Sequence, residues 1–365
     1  MLLPLFLVVG SGCQSTEDAS DGGVESSPDA SGRSCTCLAL GADYANGVGI
    51  ATVVEIPSGK TTKSIVPVSG DPVVRSLGGE LLVINRYGGD SIVAIDRANW
   101  TVKAELSTGP GSNPQDTAVV GSHVYVATFG LPAVQVFDLA AGNLATALAT
   151  IDLRPYVVGE DDGENPEASS IAVMNGKVLV TLAHLDSGFS PSGKGTVVVI
   201  DTASRTVETS FELANANPLG FVKEVNGELV TTTAPSLSAG DGCLERITAD
   251  GKPGPGGCLI ENAVLGGYAN GIAAGSSGQS FLAVTPGFGK GRLVVLEQNG
   301  TTTTLSPPER VVTAVAYCDA AGAVVYTDAA VGGLRLYDLA SHAELWAEPI
   351  DIGLPPVYQE SLACW

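Results

Sequence analysis

The densest group of side chains that could bind an ion is an acidic segment, VVGEDDGENPE, from Val157 to Glu167. Its five carboxylates belong to Glu160, Asp161, Asp162, Glu164 and Glu167. Carboxylate oxygens are the ligands that Ca²⁺ prefers, although their spacing here differs from that of an EF-hand loop. Acidic loops are commonly only solvated. We therefore expect no cofactor and keep a Ca²⁺ site built from Glu160, Asp161, Asp162 and Glu164 as the alternative.

The sequence offers little else for catalysis. It has three histidines, and we expect His123 and His342 to be structural or simply exposed. It contains no Gly-x-Ser-x-Gly elbow and no Cys-x-x-Cys-His haem attachment. The three tryptophans do not recur as the docking motifs of a PQQ-type quinoprotein would. These features favour a protein that binds without catalysing a reaction.

Composition limits the partners. The 365 residues are 44% hydrophobic, which is enough for a large core, and the formal net charge is −21. A surface this acidic repels phosphate backbones, so we expect no nucleic acid partner. No apolar run reaches the roughly 20 residues that span a bilayer. We expect a monomer that meets the membrane only through a lipid anchor.

That anchor is predicted at the N-terminus. Residues 1–12, MLLPLFLVVGSG, form a short apolar segment typical of a signal peptide. Ser11-Gly12-Cys13 resembles the end of a bacterial lipobox, which implies lipidation of Cys13. Gly10 departs from the usual Leu, Val or Ile, and no basic residue precedes the apolar run. An ordinary secretory signal is the alternative. By the same resemblance, Gln14 implies an outer-membrane lipoprotein that faces either the periplasm or the outside.

The segment from residue 13 to residue 34 is predicted to be a disordered acidic tether. After Cys13 it is rich in Ser, Asp and Gly, with one Val and no aromatic residue. Such a composition cannot bury enough apolar surface to offset the entropy of ordering. The folded domain is therefore predicted to span residues 35–365.

Six further cysteines predict disulfides, because an even number in an exported chain is typical of them. Asp250-Gly251 is a two-residue hairpin turn. Counting outward from that turn places Cys243 opposite Cys258 in an approximate register. A metal site is the alternative, but no Cys-x-x-Cys or nearby His supports it.

The chain repeats one pattern of short strands. An apolar strand ends in an acidic residue, a polar turn follows, and another strand begins. The acidic markers are Glu55, Asp96, Asp138, Asp201, Glu297 and Asp338. Asn-Pro pairs at residues 113, 165 and 217 open units of about 40–50 residues, and glycine-rich pairs such as Gly78-Gly79 mark tight turns. Four short strands per unit indicate the blades of a β-propeller.

The pattern NP…strand…turn…YVAT…VxVFD…G in residues 113–142 resembles the YVTN-type (YncE-like, WD40-like) repeat of bacterial propellers. The resemblance covers about residues 38–364 and implies an all-β, seven-bladed β-propeller. Six full units fit residues 71–356. The seventh blade is divided, with its inner strand in 357–365 and its other strands in 38–68. Some relatives bind nucleic acid, which the charge disfavours here.

Pairing of the two termini in the seventh blade predicts where the other cysteines lie. Cys318 and Cys364 each end an inner strand, and Cys35 and Cys37 begin the second strand of the seventh blade. We expect Cys35 and Cys37 to bond to Cys318 and Cys364, in an order that the sequence leaves open.

The resemblance also implies which face binds ligands, namely the one formed by loops between blades and between second and third strands. We expect nine residues there: Arg86, Tyr87, Asp116, Phe129, Glu167, His184, Phe288, Arg310 and Glu360. Solvated loops without a ligand are the alternative.

Two functions remain open at this stage, beside the third possibility of a structural spacer in the envelope. The first is a non-catalytic, lipid-anchored propeller of the cell envelope that binds an envelope protein or small ligand through this face. The second is a metal-dependent hydrolase or lactonase at the channel mouth, with Glu167, Asn270 and Asp328 as conceivable ligands.

Overall fold

The computed structural model describes residues 34–141, 145–159, 165–225, 228–237, 240–248 and 252–365. The predicted signal peptide, Cys13, the tether up to residue 33 and the acidic residues Glu160 to Glu164 lie outside these ranges. The strands of the first half are β1 (Cys35–Asp43), β2 (Val48–Ile56), β3 (Thr61–Thr62), β4 (Pro67–Ser69), β5 (Pro72–Leu77), β6 (Glu80–Asn85), β7 (Ser91–Asp96), β8 (Thr101–Ser107), β9 (Pro114–Val120), β10 (His123–Thr128), β11 (Ala133–Asp138), β12 (Ala149–Asp152), β13 (Ala168–Met174), β14 (Lys177–Leu182), β15 (Thr196–Asp201) and β16 (Thr206–Glu212).

The second half adds fourteen strands and one short α-helix. They are β17 (Pro218–Val225), β18 (Glu228–Thr233), β19 (Cys243–Ile247), β20 (Pro253–Glu261), α1 (Asn262–Leu265), β21 (Tyr268–Ala274), β22 (Ser280–Thr285), β23 (Arg292–Leu296), β24 (Thr302–Thr304), β25 (Val315–Cys318), β26 (Ala323–Asp328), β27 (Gly333–Asp338), β28 (Ala343–Glu344), β29 (Ile350–Asp351) and β30 (Leu362–Cys364). Single turns of 3₁₀-helix occupy Tyr44–Asn46 and Arg154–Tyr156. Within the described ranges, no helix has the length and apolar character needed to cross a membrane.

These strands form seven antiparallel sheets, which confirms the predicted seven-bladed propeller. Blade 1 is β5–β8, blade 2 is β9–β12, blade 3 is β13–β16, blade 4 is β17–β20, blade 5 is β21–β24 and blade 6 is β25–β28 with β29. Blade 7 has the order β3-β2-β1-β30, so the last strand of the chain is its inner strand. Loops between blades, and between second and third strands, lie on one side, which we call the loop face. The opposite side is the turn face.

The hydrophobic core lies between blades. Seven clusters of buried side chains occur in the described residues, and each fills one of the seven blade interfaces. Leu38 of blade 7 packs with Leu81 of blade 1, for example. Strands covered on both faces by neighbouring blades read as continuous apolar runs, which is why the sequence shows runs such as VVVI before Asp201.

The recurrent turn residues have local physical causes. Asn175 and Gly176 have φ of 52° and 74°, the conformation that a two-residue hairpin requires. The four aspartate markers cap the turn after the third strand, where the carboxylate accepts a backbone N–H two or three residues later. Asp96 accepts from Ala98 at 2.8 Å, and Asp338 accepts from Ser341 at 2.7 Å. Each aspartate marker thus lies at the end of one strand and stabilises the turn that follows it.

These caps predict acid sensitivity. Hydrogen bonds from Lys177 and Ser204 hold the pKa of Asp201 below its usual 3.8, and a hydrogen bond from Ser341 likewise lowers the pKa of Asp338. A depressed folded-state pKa gives stability that is complete above the unfolded pKa and is lost as the pH falls below it. We expect the urea concentration at the unfolding midpoint to decrease as the pH is lowered from 4 to 2.5. The decrease should be less steep in Asp201→Asn than in the unmodified protein. The control Asp319→Asn removes an exposed carboxylate on the turn face, and equal slopes in both variants would contradict the assignment.

The structure contains three disulfides and gives the pairing that the sequence left open. Cys35 bonds to Cys318, and Cys37 bonds to Cys364 directly across the β1–β30 ladder. The third joins Cys243 to Cys258. The register predicted for this third pair is wrong, because Cys258 lies opposite Glu245 and Cys243 lies opposite Glu261. Irregularities in the β19–β20 ladder cause the shift, and the bond bridges the two strands diagonally. Disulfides of this kind are typical of oxidising compartments outside the cytoplasm.

Candidate binding groove on the loop face

The central channel is crossed by buried ion pairs. Arg75 of blade 1 donates to both carboxylate oxygens of Asp116 in blade 2, at 2.6 and 2.5 Å. Asp116 also accepts from the hydroxyl of Ser170 in blade 3 at 2.7 Å, and that hydroxyl accepts from the backbone of Val222 in blade 4 at 2.7 Å. These bonds join the inner strands of four blades.

A bulge in β17 completes this layer. Three residues from Gly220 interrupt the β17–β18 register, and Gly220 has φ of 80°. The bulge directs Phe221 of blade 4 across the channel, where the Arg75 guanidinium lies 3.5 Å from its ring centre. The layer separates the loop face from a cavity of about 510 Å³ that the inner strands of all seven blades line on the turn side.

A second pair closes the layer towards blade 7. Lys223 Nζ lies 2.8 Å from Glu360 Oε2, and the Glu360 carbonyl accepts from Val74 of blade 1 at 3.0 Å. Burial lowers the pKa of Lys223, and the Glu360 carboxylate opposes that shift. Asp116 and Glu360, predicted for the ligand face, are therefore buried in the channel and used in holding blades together.

Other predicted residues are also engaged with the fold. Arg86 is buried and donates to Asp71 at 2.6 Å, and His184 Nε2 lies 2.9 Å from the buried hydroxyl of Thr196. Glu167 is buried beside His184, and its carboxylate accepts from the backbone of Leu185 at 2.8 Å.

Arg310 belongs to a network in blade 6. It donates to Glu344 at 2.9 and 3.2 Å, and Arg335 and the hydroxyl of Tyr326 also reach that carboxylate. Burial acts to raise the pKa of Glu344, but hydrogen bonds from Arg310 and Tyr326 outweigh it and the pKa lies below its usual value. Asp328 accepts from Arg335 at 3.2 Å and lies 3.6 Å from Arg310. Because two arginines already balance its charge, Asp328 does not fit a metal ligand.

Two of the remaining predicted residues, Tyr87 and Phe129, lie in an open groove over blades 1 to 3. The third, Phe288, lies outside it in a loop of blade 5. The groove has a volume of about 700 Å³. Tyr87, Phe129 and Glu167 line it, together with Asp186 and Phe189 of the insertion between β14 and β15 in blade 3. The lining residues that the structure describes include no lysine or arginine.

Two side chains of the groove are fixed by local bonds. Asp90 accepts from the backbone N–H groups of Gly111 and Asn113, each at 2.8 Å. Asp186 Oδ1 accepts from the N–H groups of Gly188 and Ser190 at 2.8 and 2.9 Å. None of the ion pairs that the structure forms among its described residues contains either carboxylate, so both remain uncompensated negative charges.

Exposed aromatic rings are concentrated on the loop face. In the described ranges, the exposed aromatic side chains are Tyr44, Tyr87, Phe189, Phe288 and Tyr358, and every one lies in a loop of this face. Tyr44 stacks on Tyr87 with ring centres 6.1 Å apart, and Phe288 stacks on Tyr358 at 6.2 Å. Phe288 is 97% exposed. Aromatic residues are enriched where proteins bind partners.

Three of the groove and face residues were missed from the sequence. Phe189 belongs to the insertion HLDSGFSPSGKG, residues 184–195, whose Gly/Ser content is typical of a mobile contact loop. Tyr44 and Asp90 carry no such signal, because each is a single residue in a short loop.

The described residues contain one group of three potential metal ligands, namely Cys243, Cys258 and Glu261. Its two cysteines form a disulfide, so their sulfurs do not act as thiolate ligands. Among the described His, Cys, Asp and Glu residues, neither Glu167 nor Asp328 belongs to such a group.

Comparison with known proteins shows the architecture. No family model and no curated protein matches the sequence. Apo AztD from Citrobacter koseri is 12% identical with a TM-score of 0.52 over 91% of this chain and 98% of its own. A putative 6-phosphogluconolactonase from Bacteroides fragilis is 12% identical with a TM-score of 0.57 over 93% and 99%. The propeller domain of Cps50 (Swd1) from Myceliophteria thermophila is 10% identical with a TM-score of 0.57 over 83% and 96%. At such identities the likeness concerns the fold alone, and the chain is a seven-bladed β-propeller.

Proposed function

We propose that this chain is a YVTN-type propeller of the bacterial cell envelope, anchored by lipid at Cys13, which binds a partner protein through its loop face without catalysis. The observation that carries the proposal is the concentration of exposed aromatic rings on that face. Exposure of apolar rings to water is unfavourable, and a partner that covers them removes that cost. A group of exposed rings therefore marks an interaction surface. The disulfides support a location outside the cytoplasm, and the predicted signal peptide agrees with it.

The hydrolase alternative has weaker support. One similar fold carries the description of a putative 6-phosphogluconolactonase. In this chain, however, Asp328 is paired with Arg335 and Arg310, and the channel is crossed by ion pairs rather than open carboxylates. We therefore favour binding, with a basic or neutral partner in view of the net charge of −21.

Photo-cross-linking in the native envelope tests this proposal. A photoreactive amino acid placed at Phe288, Tyr358 or Phe189 should capture a discrete partner. The same group placed at Val173, which is 37% exposed on the turn face, should capture none. Cross-links of equal yield from Val173, or none from the three aromatic positions, would contradict binding through the loop face.

A further inference from the structure

We infer that the groove over blades 1 to 3 binds a positively charged side chain, lysine or arginine, of an extended segment in the partner protein. The inference rests on the proposed function and adds the chemistry of the ligand. It depends on four properties of the groove: its charge, its aromatic rings, its fixed geometry and its size.

The charge of the groove is one-sided. Asp90, Glu167 and Asp186 line it, and the described lining contains no basic residue. The nearest cation along the chain, Arg86, is committed to Asp71 at 2.6 Å. An anionic ligand would be repelled in this groove, whereas a cation would be attracted to the carboxylates of Asp90 and Asp186, which form no ion pair with the described residues.

The rings supply the second contact that an organic cation prefers. Tyr87 is 66% exposed and Phe189 is 72% exposed, and both line the groove with Phe129. The face of an aromatic ring attracts a guanidinium or ammonium group within about 6 Å of its centre, by roughly 0.5–2 kcal/mol. Rings beside carboxylates therefore favour a cationic side chain, whose hydrocarbon stem can pack on the rings, over a strongly hydrated metal ion.

Several groups of the groove are held in place before any ligand binds. The stack with Tyr44 orients the ring of Tyr87. Backbone N–H groups hold Asp186 Oδ1, and among the described residues no donor reaches its Oδ2. Preorganised groups lose little entropy on binding, so even one such side chain can be recognised.

The size of the groove and its surroundings favour a protein segment over a free small molecule. A volume of about 700 Å³ is enough for one or two long side chains. The Phe288–Tyr358 stack lies on the same face outside the groove, where only a larger partner could touch both.

Peptide binding tests the inference. The probes are three fluorescent nine-residue Gly/Ser peptides carrying three Arg, three Glu or no charge, titrated with the full chain in detergent by fluorescence anisotropy. We expect binding of the Arg peptide only, weakening as NaCl rises. Asp186→Asn and Phe189→Ala should each weaken it about five- to tenfold. The control Asp319→Asn removes the same charge from the turn face and should change binding less than twofold.

Three results would overturn the inference: equal binding of the Glu peptide, unchanged affinity in Asp186→Asn, or an equal loss in Asp319→Asn. An equal loss in Asp319→Asn would show that the net charge of the protein, and not the groove, attracts the Arg peptide. Cross-linking of the native partner distinguishes failure of this inference from failure of the proposed function. If capture at Phe288 persists undiminished in Asp186→Asn, binding through the loop face stands and the cation groove fails.

Discussion

Replacing Asp116 by alanine is expected to lower the free energy of unfolding by about 3–5 kcal/mol. The side chain is fully buried and accepts from Arg75, Ser170 and the backbone of Ile171. Without it, the Arg75 guanidinium, whose side chain is 6% exposed, remains as an unpaired buried charge. Two donors from blade 3 also lose their acceptor, and each costs about 1–3 kcal/mol when buried unsatisfied. The change should be measured by urea unfolding followed by fluorescence.

A double variant separates the buried charge from simple loss of packing. In the Arg75→Met, Asp116→Ala double variant no charge is left unpaired, so its stability should exceed that of Asp116→Ala alone. The matched control is Lys60→Ala, which breaks an exposed ion pair with Glu55 and should change stability by at most about 0.5 kcal/mol. A loss below 1 kcal/mol in Asp116→Ala would show that the layer in the channel does not hold the blades together.

The role of Asp116 shows where prediction from sequence ends. Its place at the start of an inner strand was predictable, because Asn113-Pro114 and the following tight turn are local signals. Its partner Arg75 lies against the Phe221 ring, which crosses from blade 4 because of a bulge at Gly220. The sequence around residue 116 carries no information about the bulge at Gly220, which lies about a hundred residues further along the chain. Loop-face residues were therefore predicted by position, while the structure divides them between channel, core and groove.

The blade count was predictable for the opposite reason. The short apolar strands, the tight turns and the acidic caps are each determined within a few residues, as the bond from Ala98 to Asp96 shows. Seven copies of a local rule define the fold even where one copy is divided between the termini. Dependence on local signals also limits what the sequence predicts about the disulfides. The irregular β19–β20 ladder, with its Pro and Gly residues, shifts the register at Cys258, and counting from the turn did not predict that shift.

Closure of blade 7 leads to the second large effect. We expect Cys37→Ser with Cys364→Ser to lower the free energy of unfolding by about 2–5 kcal/mol. The bond joins residues 327 apart, and β30 shares only three residue pairs with β1. So short an inner strand gains little from its ladder alone, and the covalent bond restrains its opening. Hydrogen exchange should therefore rise first in β1 and β30 while the other blades stay protected.

The two closure bonds should not act additively. Cys35–Cys318 ties the same strand β1 to blade 6, so either bond alone still restricts most of the loop in the unfolded chain. Removing either bond should therefore lower the free energy of unfolding more when the other bond is already absent. The control Cys243→Ser with Cys258→Ser opens a bond between residues only 15 apart, worth about 3 kcal/mol at most, and should leave exchange in β1 unchanged. If loss of both closure bonds left exchange in β1 and β30 at its original rate, the seven apolar interfaces alone would be closing the ring.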